Sequence, residues 1–221
     1  YRVREVIGRG GMGSSYLPPR AYAIIHRAHH AYSDTPKDPH SPSNHRWWVP
    51  GFMLETRRNF DNIATRRVAP EERFEGGYPS WPAMEKLGWW FPGQLMWVLF
   101  YTLIYVTFAS TPWLWLLIPV HAVLGLLQGM LVNWCGHSYG YRNYETRDAS
   151  TNALAVDLLM LGDMMQNNHH RQPMRATNAV RWFELDLVGV IVRALIATGI
   201  ATARTERPLV AAPLSVLPVV L

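Results

Sequence analysis

Cysteine, lysine and, over one long stretch, charge of any kind are what this 221-residue chain has least of. A single cysteine, Cys135, excludes an internal disulfide and any zinc site built from several thiolates. It fits a reducing compartment. Lysine occurs only at Lys37 and Lys86, so the formal charge of +5 is carried almost entirely by arginine. No arginine-rich helix or aromatic RNA-binding signature accompanies that charge, and nucleic acid is therefore not expected as a partner. Between Lys86 and Arg142 there is no Asp, Glu, Lys or Arg. No solenoid-type repeat is visible. No signal-peptide pattern opens the chain, and it begins at Tyr1 rather than Met, so the natural start is expected further upstream.

What is there in place of charge is apolar and aromatic. Hydrophobic residues make up 49% of the chain, yet mean hydropathy is only −0.05, because charged flanks offset the charge-free block. That block divides at Thr111-Pro112. A membrane-spanning helix needs roughly 20 apolar residues. Two spans are expected, over about 89–110 and 112–134, with Pro112 in the first turn of the second helix, where its missing N–H costs nothing. Trp89, Trp90, Phe91 and Trp134 stand near the ends, as interfacial aromatics do. Arginines crowd the flanks, as they do on cytoplasmic segments beside spans. Two spans return the chain to the side it left, so everything before Lys86 and after Arg142 faces one compartment. The other reading is a buried helical hairpin in a soluble protein, against which so long a charge-free run argues.

Six of the nine histidines fall in three short groups: His26-Arg27-Ala28-His29-His30, Asn133-Trp134-Cys135-Gly136-His137 and Gln166-Asn167-Asn168-His169-His170. On a helix, positions i, i+3 and i+4 share a face. His26, His29 and His30 can thus point at one ion, as can Gln166, His169 and His170, while Asn133 and His137 also share a face. Imidazole is a good ligand for iron, zinc, copper and nickel. Six imidazoles are too many for one tetrahedral zinc, and two metals are the more natural count. The first group precedes the hairpin, His137 follows its end, and the third group follows a helix-like stretch at Ala153 to Leu161. All three can meet at one membrane face. Asp34, Asp38 and Asp163 lie near the groups and can orient imidazoles through their second nitrogens, or serve as turn and cap carboxylates. His40 reads as structural, His45 as a surface residue, and His121, inside the second span, as a packing residue.

HRAHH followed by AYSDTPKDPHSP, then VNWCGHSYGYRNY, then QNNHHRQP, resembles the second and later histidine boxes of bacterial membrane acyl-CoA desaturases. The resemblance runs from about Ala21 to Trp182. It implies an all-α integral membrane protein of the bacterial inner membrane, a transmembrane helical hairpin with cytoplasmic helices carrying histidine boxes. It implies two non-haem iron ions, O2 as co-substrate, electrons from a ferredoxin- or cytochrome b5-like donor, and a cis double bond placed in an acyl-CoA or acyl-lipid chain. Carried over by position, His26, His29, His30, His137, His169 and His170 are iron ligands. Asn133 matches a position that helps hold an iron through water. Gln166 stands where many relatives have His and, with Asp163 and Asp38, is expected to support the ligands. An unactivated methylene has no acidity for a base to exploit, so a redox metal has to remove the hydrogen while the protein orients the chain. Membrane hydroxylases carry related boxes and are the first alternative. An inactive remnant is the second.

The amino-terminal residues differ in character. Gly8-Arg9-Gly10-Gly11-Met12-Gly13 resembles the glycine-rich loop of bacterial Ser/Thr protein kinases. No VAIK lysine, HRD or DFG follows, so phosphoryl transfer is not expected. The resemblance to desaturases further implies an earlier hairpin and an HRxxxH box, and His26 is the first histidine here. The expected organisation is a foreign stub over 1–19 and a truncated desaturase domain over 20–221.

Overall fold

A computed structural model describes residues 18–45, 48–78, 82–158 and 160–201. The stub assigned to 1–19 lies outside them except for its last two residues, as does the proline-containing tail from 202.

The first helix among the described residues, α1 (Pro19–Tyr32), starts with proline in its first turn, where the fixed φ favours entry. It carries two stripes. Ala21, Ile24, Ile25, Ala28 and Tyr32 pack against Phe60, Ile63, Ala64 and Phe74. His26, His29 and His30 occupy a neighbouring face. The partner residues come from α2 (Val49–Ala64) and a 3-10 turn at Glu72–Phe74. Arg20 ties the start of α1 to this layer, donating to Ile63 O and pairing with Glu75. Its backbone N–H donates to Glu85 of α3 (Pro82–Trp89) at 2.7 Å.

The charge-free block forms α4 (Phe91–Phe108), a 3-10 turn at Pro112–Leu116, and α5 (Leu117–Gly136). The break falls at Thr111-Pro112, as expected, but Pro112 opens the 3-10 turn and not α5 itself. The Tyr105 hydroxyl meets His121 Nδ1 at 3.0 Å, and Tyr101 stacks on the same ring, so α4 and α5 pack side by side. His121 is the packing residue expected. α4 is long and apolar enough to cross a membrane, and almost none of it is buried. Leu95, Leu99, Leu103, Val106 and Phe108 all face outward. A soluble core hairpin would hide them.

Beyond α5 the chain departs from the all-helical expectation, although the molecule remains mostly helical. The described residues from Ala153 to Leu161 form no helix. Instead Val156–Asp157 (β1) pairs in parallel with Leu185–Asp186 (β2). The reason is local. The Asp157 carboxylate accepts from the backbone N–H groups of Met160, Gly162 and Met164, offering them a partner that competes with helix formation. Leu161 and Gly162 then take positive φ values of 58° and 93°. At Gly162 a Cβ would sit 2.2 Å from Asp186 Oδ1, so only glycine fits. A short helix, α6 (Gln166–Arg171), follows, and α7 (Leu187–Ala197) is capped by Asp186 accepting from Gly189 N at 2.9 Å.

Candidate metal centre

Three elements deliver six imidazoles to one place: the α1 face, the residue just past α5, and α6. Within that place they separate into two groups, and the first and third sequence boxes are each divided between them. Nε2 atoms of His26, His30 and His169 lie 3.0 to 3.2 Å from one another. Ligand nitrogens of His29, His137 and His170 lie within 4.8 Å of one another. The groups adjoin through neighbours in sequence, the His30 and His170 ring centroids being 4.4 Å apart. The expectation that His26, His29 and His30 aim at one ion is thereby corrected. Helical spacing puts three residues on a broad face, but His29 lies about 60° to one side of His26 around the axis and His30 about 40° to the other. That difference is enough to send His29 to one point and the i, i+4 pair His26 and His30 to another.

The second group is the more deeply built. His29 is 1% exposed, and His137 and His170 are nearly as enclosed. Each Nδ1 donates to a carboxylate: His29 to Asp38 at 2.9 Å, His137 to Asp34 at 2.9 Å, His170 to Asp148 at 2.8 Å. That bond fixes the tautomer and leaves Nε2 as a lone pair. All three Nε2 atoms are buried without a hydrogen-bond partner. Orphaned buried acceptors cost about 1–3 kcal/mol each. Three aimed at one point call for a cation. In the first group, nitrogens sharing one ion at roughly 2.1 Å would stand roughly 3.0–3.4 Å apart, and the observed triangle matches. The residues therefore fit a pair of metal ions held by histidine.

The electrostatics agree. Burial, and then the crowding of other imidazoles, pushes the basicity of His29 and His30 well below the ordinary histidine value. Burial lowers His170 too, against the pull of Asp148. Neutral imidazole is the ligand form. Burial alone would raise Asp34 and Asp148, but the hydrogen bonds from His137 and His170 outweigh it and hold both carboxyls low. Asp38, with burial dominant, is raised to about 6.

The remaining expected site residues stand around these groups. Asn133 is buried four residues before His137, its Nδ2 donating to Gly129 O at 2.8 Å and touching His40 Nε2. Gln166 is buried, its Nε2 donating to the Asp163 carbonyl at 2.7 Å. Its stem lies against Gly136, where a Cβ would come within 2.4 Å of Gln166 Cγ. His45 pairs with Glu55.

Sequence reasoning missed Asp148 and Glu184. Asp148 stands 22 residues before the ring it orients, and its other bonds, from Thr146 and Ser150, are those of an ordinary turn. Glu184 accepts from Tyr141, Asn143, Asn168 and the backbone of Val180 and Arg181. Asn168 in turn bonds Asn152, Asn143 and the Asn178 carbonyl. Six residues are too few to hold α6 as an independent helix. This network anchors it.

Two clusters of inward-facing histidine, each able to hold a metal ion, on a mainly helical scaffold define the class of histidine-box proteins. The chain belongs to the fatty acid desaturase family, whose profile matches residues 2–206. It is 28% identical over 189 residues to the Delta-9 desaturase-like 5 protein of Arabidopsis thaliana and 27% identical over 202 residues to the sn-1 stearoyl-lipid 9-desaturase of Anabaena variabilis. Over 191 residues it is 28% identical to the Acyl-CoA 5-desaturase AL21 of Anemone leveillei. Each match covers 83% of this chain but only 59%, 64% and 55% of the respective relative. No solved structure matches.

Proposed function

We propose that the chain acts as a di-iron, O2-dependent desaturase of a saturated acyl chain carried on CoA or a lipid. The observation that carries the reading is the division of six enclosed imidazoles into two groups, one with three orphaned Nε2 atoms backed by carboxylates. His26, His30 and His169 would hold one iron. His29, His137 and His170, with Asn133 as a neighbouring oxygen donor, would hold the other. Iron, when bound, supplies the oxidising power to remove hydrogen from an unactivated methylene.

The chain's own residues do the rest. Asp34, Asp38 and Asp148 keep protons on Nδ1, so the facing nitrogens stay available and the rings cannot rotate away. Burial excludes water that would compete for the same positions. His137 follows directly on the end of α5 at Gly136, which supports a site at one end of the α4–α5 pair. We read the pair as a transmembrane hairpin, with the histidines on the cytoplasmic side within reach of a ferredoxin- or cytochrome b5-like donor.

The test is product analysis. The purified chain, loaded with iron and given an electron donor, O2 and a labelled stearoyl substrate in CoA or lipid form, should yield an alkene. An alcohol would assign it to the hydroxylases with related boxes instead.

A further inference from the structure

The 34–40 loop touches the centre three times. Asp34 orients His137 and Asp38 orients His29. The third contact, from His40, belongs to a histidine outside the boxes. Its backbone N–H donates to Asp38 at 2.9 Å, its Nδ1 lies 3.1 Å from Thr56 Oγ1, and its Nε2 meets Asn133 Nδ2. Its ring is 5.8 Å from that of His29 and 5.5 Å from that of Phe52.

Elimination fixes the hydrogen bonds in this chain. The Asn133 atom facing the Gly129 carbonyl must be the nitrogen, because a carbonyl only accepts. The same nitrogen faces His40 Nε2, which therefore presents a lone pair. A neutral ring with a lone pair on Nε2 carries its proton on Nδ1 and donates it to Thr56. Both amide hydrogens of Asn133 are then engaged, which leaves its oxygen as the one atom of the amide able to accept or ligate. Helical spacing puts Asn133 and His137 on one face of α5.

The geometry points to His40 as a positioning residue: it accepts from Asn133 and so keeps the amide oxygen, not the nitrogen, available to the His29–His137–His170 group. This rests on the reading of Asn133 as an oxygen donor to the metal held there. Without an acceptor at residue 40, the Gly129 carbonyl alone holds the amide against a flip that would offer a nitrogen unable to ligate a cation.

The experiment uses the full chain in detergent, loaded with Co2+, whose visible absorption reports coordination, together with chelator competition for affinity. His40→Leu should shift the cobalt spectrum and weaken one of two sites roughly tenfold, the lower end of what outer-shell partners contribute. His40→Gln, which restores an acceptor oxygen, should recover most of the loss. Thr56→Val, which removes the Nδ1 partner and leaves the ring in place, should weaken the same site less. In an Asn133→Ala background, His40→Leu should change affinity by less than about twofold. The assignment is overturned if His40→Leu leaves spectrum and affinity unchanged while Asn133→Ala alters them, or if its effect persists in full without Asn133. In both cases the histidine groups themselves still stand. A wild-type chain that takes up no cobalt overturns those groups and this assignment together.

Discussion

At the scale of single residues, the carboxylates behind the imidazoles separate a metal site from a chance gathering of rings. Asp148 is the clearest case, because its bond to His170 runs from a loop that shares no helix with it. Asp148→Asn keeps the shape and removes the charge. It should lower metal affinity at the His29–His137–His170 group by about 10–100-fold and leave the other group largely unchanged, as chelator titration would record. The histidines were legible in the sequence because helical spacing advertises them. Asp148 was not, since nothing local links residue 148 to residue 170. The division of the first and third boxes between two points was also hidden. It depends on where α6 sits against α1, which is tertiary information.

At the scale of elements, α6 is the part most dependent on its surroundings. Its six residues carry His169 and His170, and Asn167 and Asn168 fasten it to Tyr144, Asn152 and Glu184. Burial would raise the Glu184 carboxyl, but the hydrogen bonds from Tyr141, Arg181, Val180 and Asn168 outweigh it and hold it below the usual range. A depressed carboxyl stabilises the fold above its unfolded value, about 4.3, and that contribution fades as pH falls through the lower folded value. Thermal unfolding should therefore show a loss of stability below about pH 4.3 that Glu184→Gln removes. At neutral pH the same substitution should cost about 2–3 kcal/mol, because an amide N–H2 would face donors. The sequence announced α1, α4 and α5 through composition and period. It misled at Ala153 to Leu161, where apolar residues suggested helix and one aspartate redirected three backbone N–H groups.

At the scale of the whole molecule, the argument for a bilayer is the outward apolar surface of α4. Leu103 is 62% exposed in the middle of that helix, a position that suits lipid and no aqueous surface. Leu103→Arg should disfavour insertion by about 2.5–3.5 kcal/mol and reduce the fraction recovered in membranes, read by a membrane-insertion assay. An unchanged fraction would point to a soluble or peripheral protein.

The account depends most on how the imidazoles are shared, and iron content per purified chain tests that directly. The wild type should hold about two ions, one for each group. Replacing His26 and His169 together removes ligands from one spatial group and should leave about one. Replacing His26 and His29 together, neighbours in one sequence box but members of different groups, should leave close to none. Iron retained in the reverse pattern, or absent from the wild type, would contradict the account.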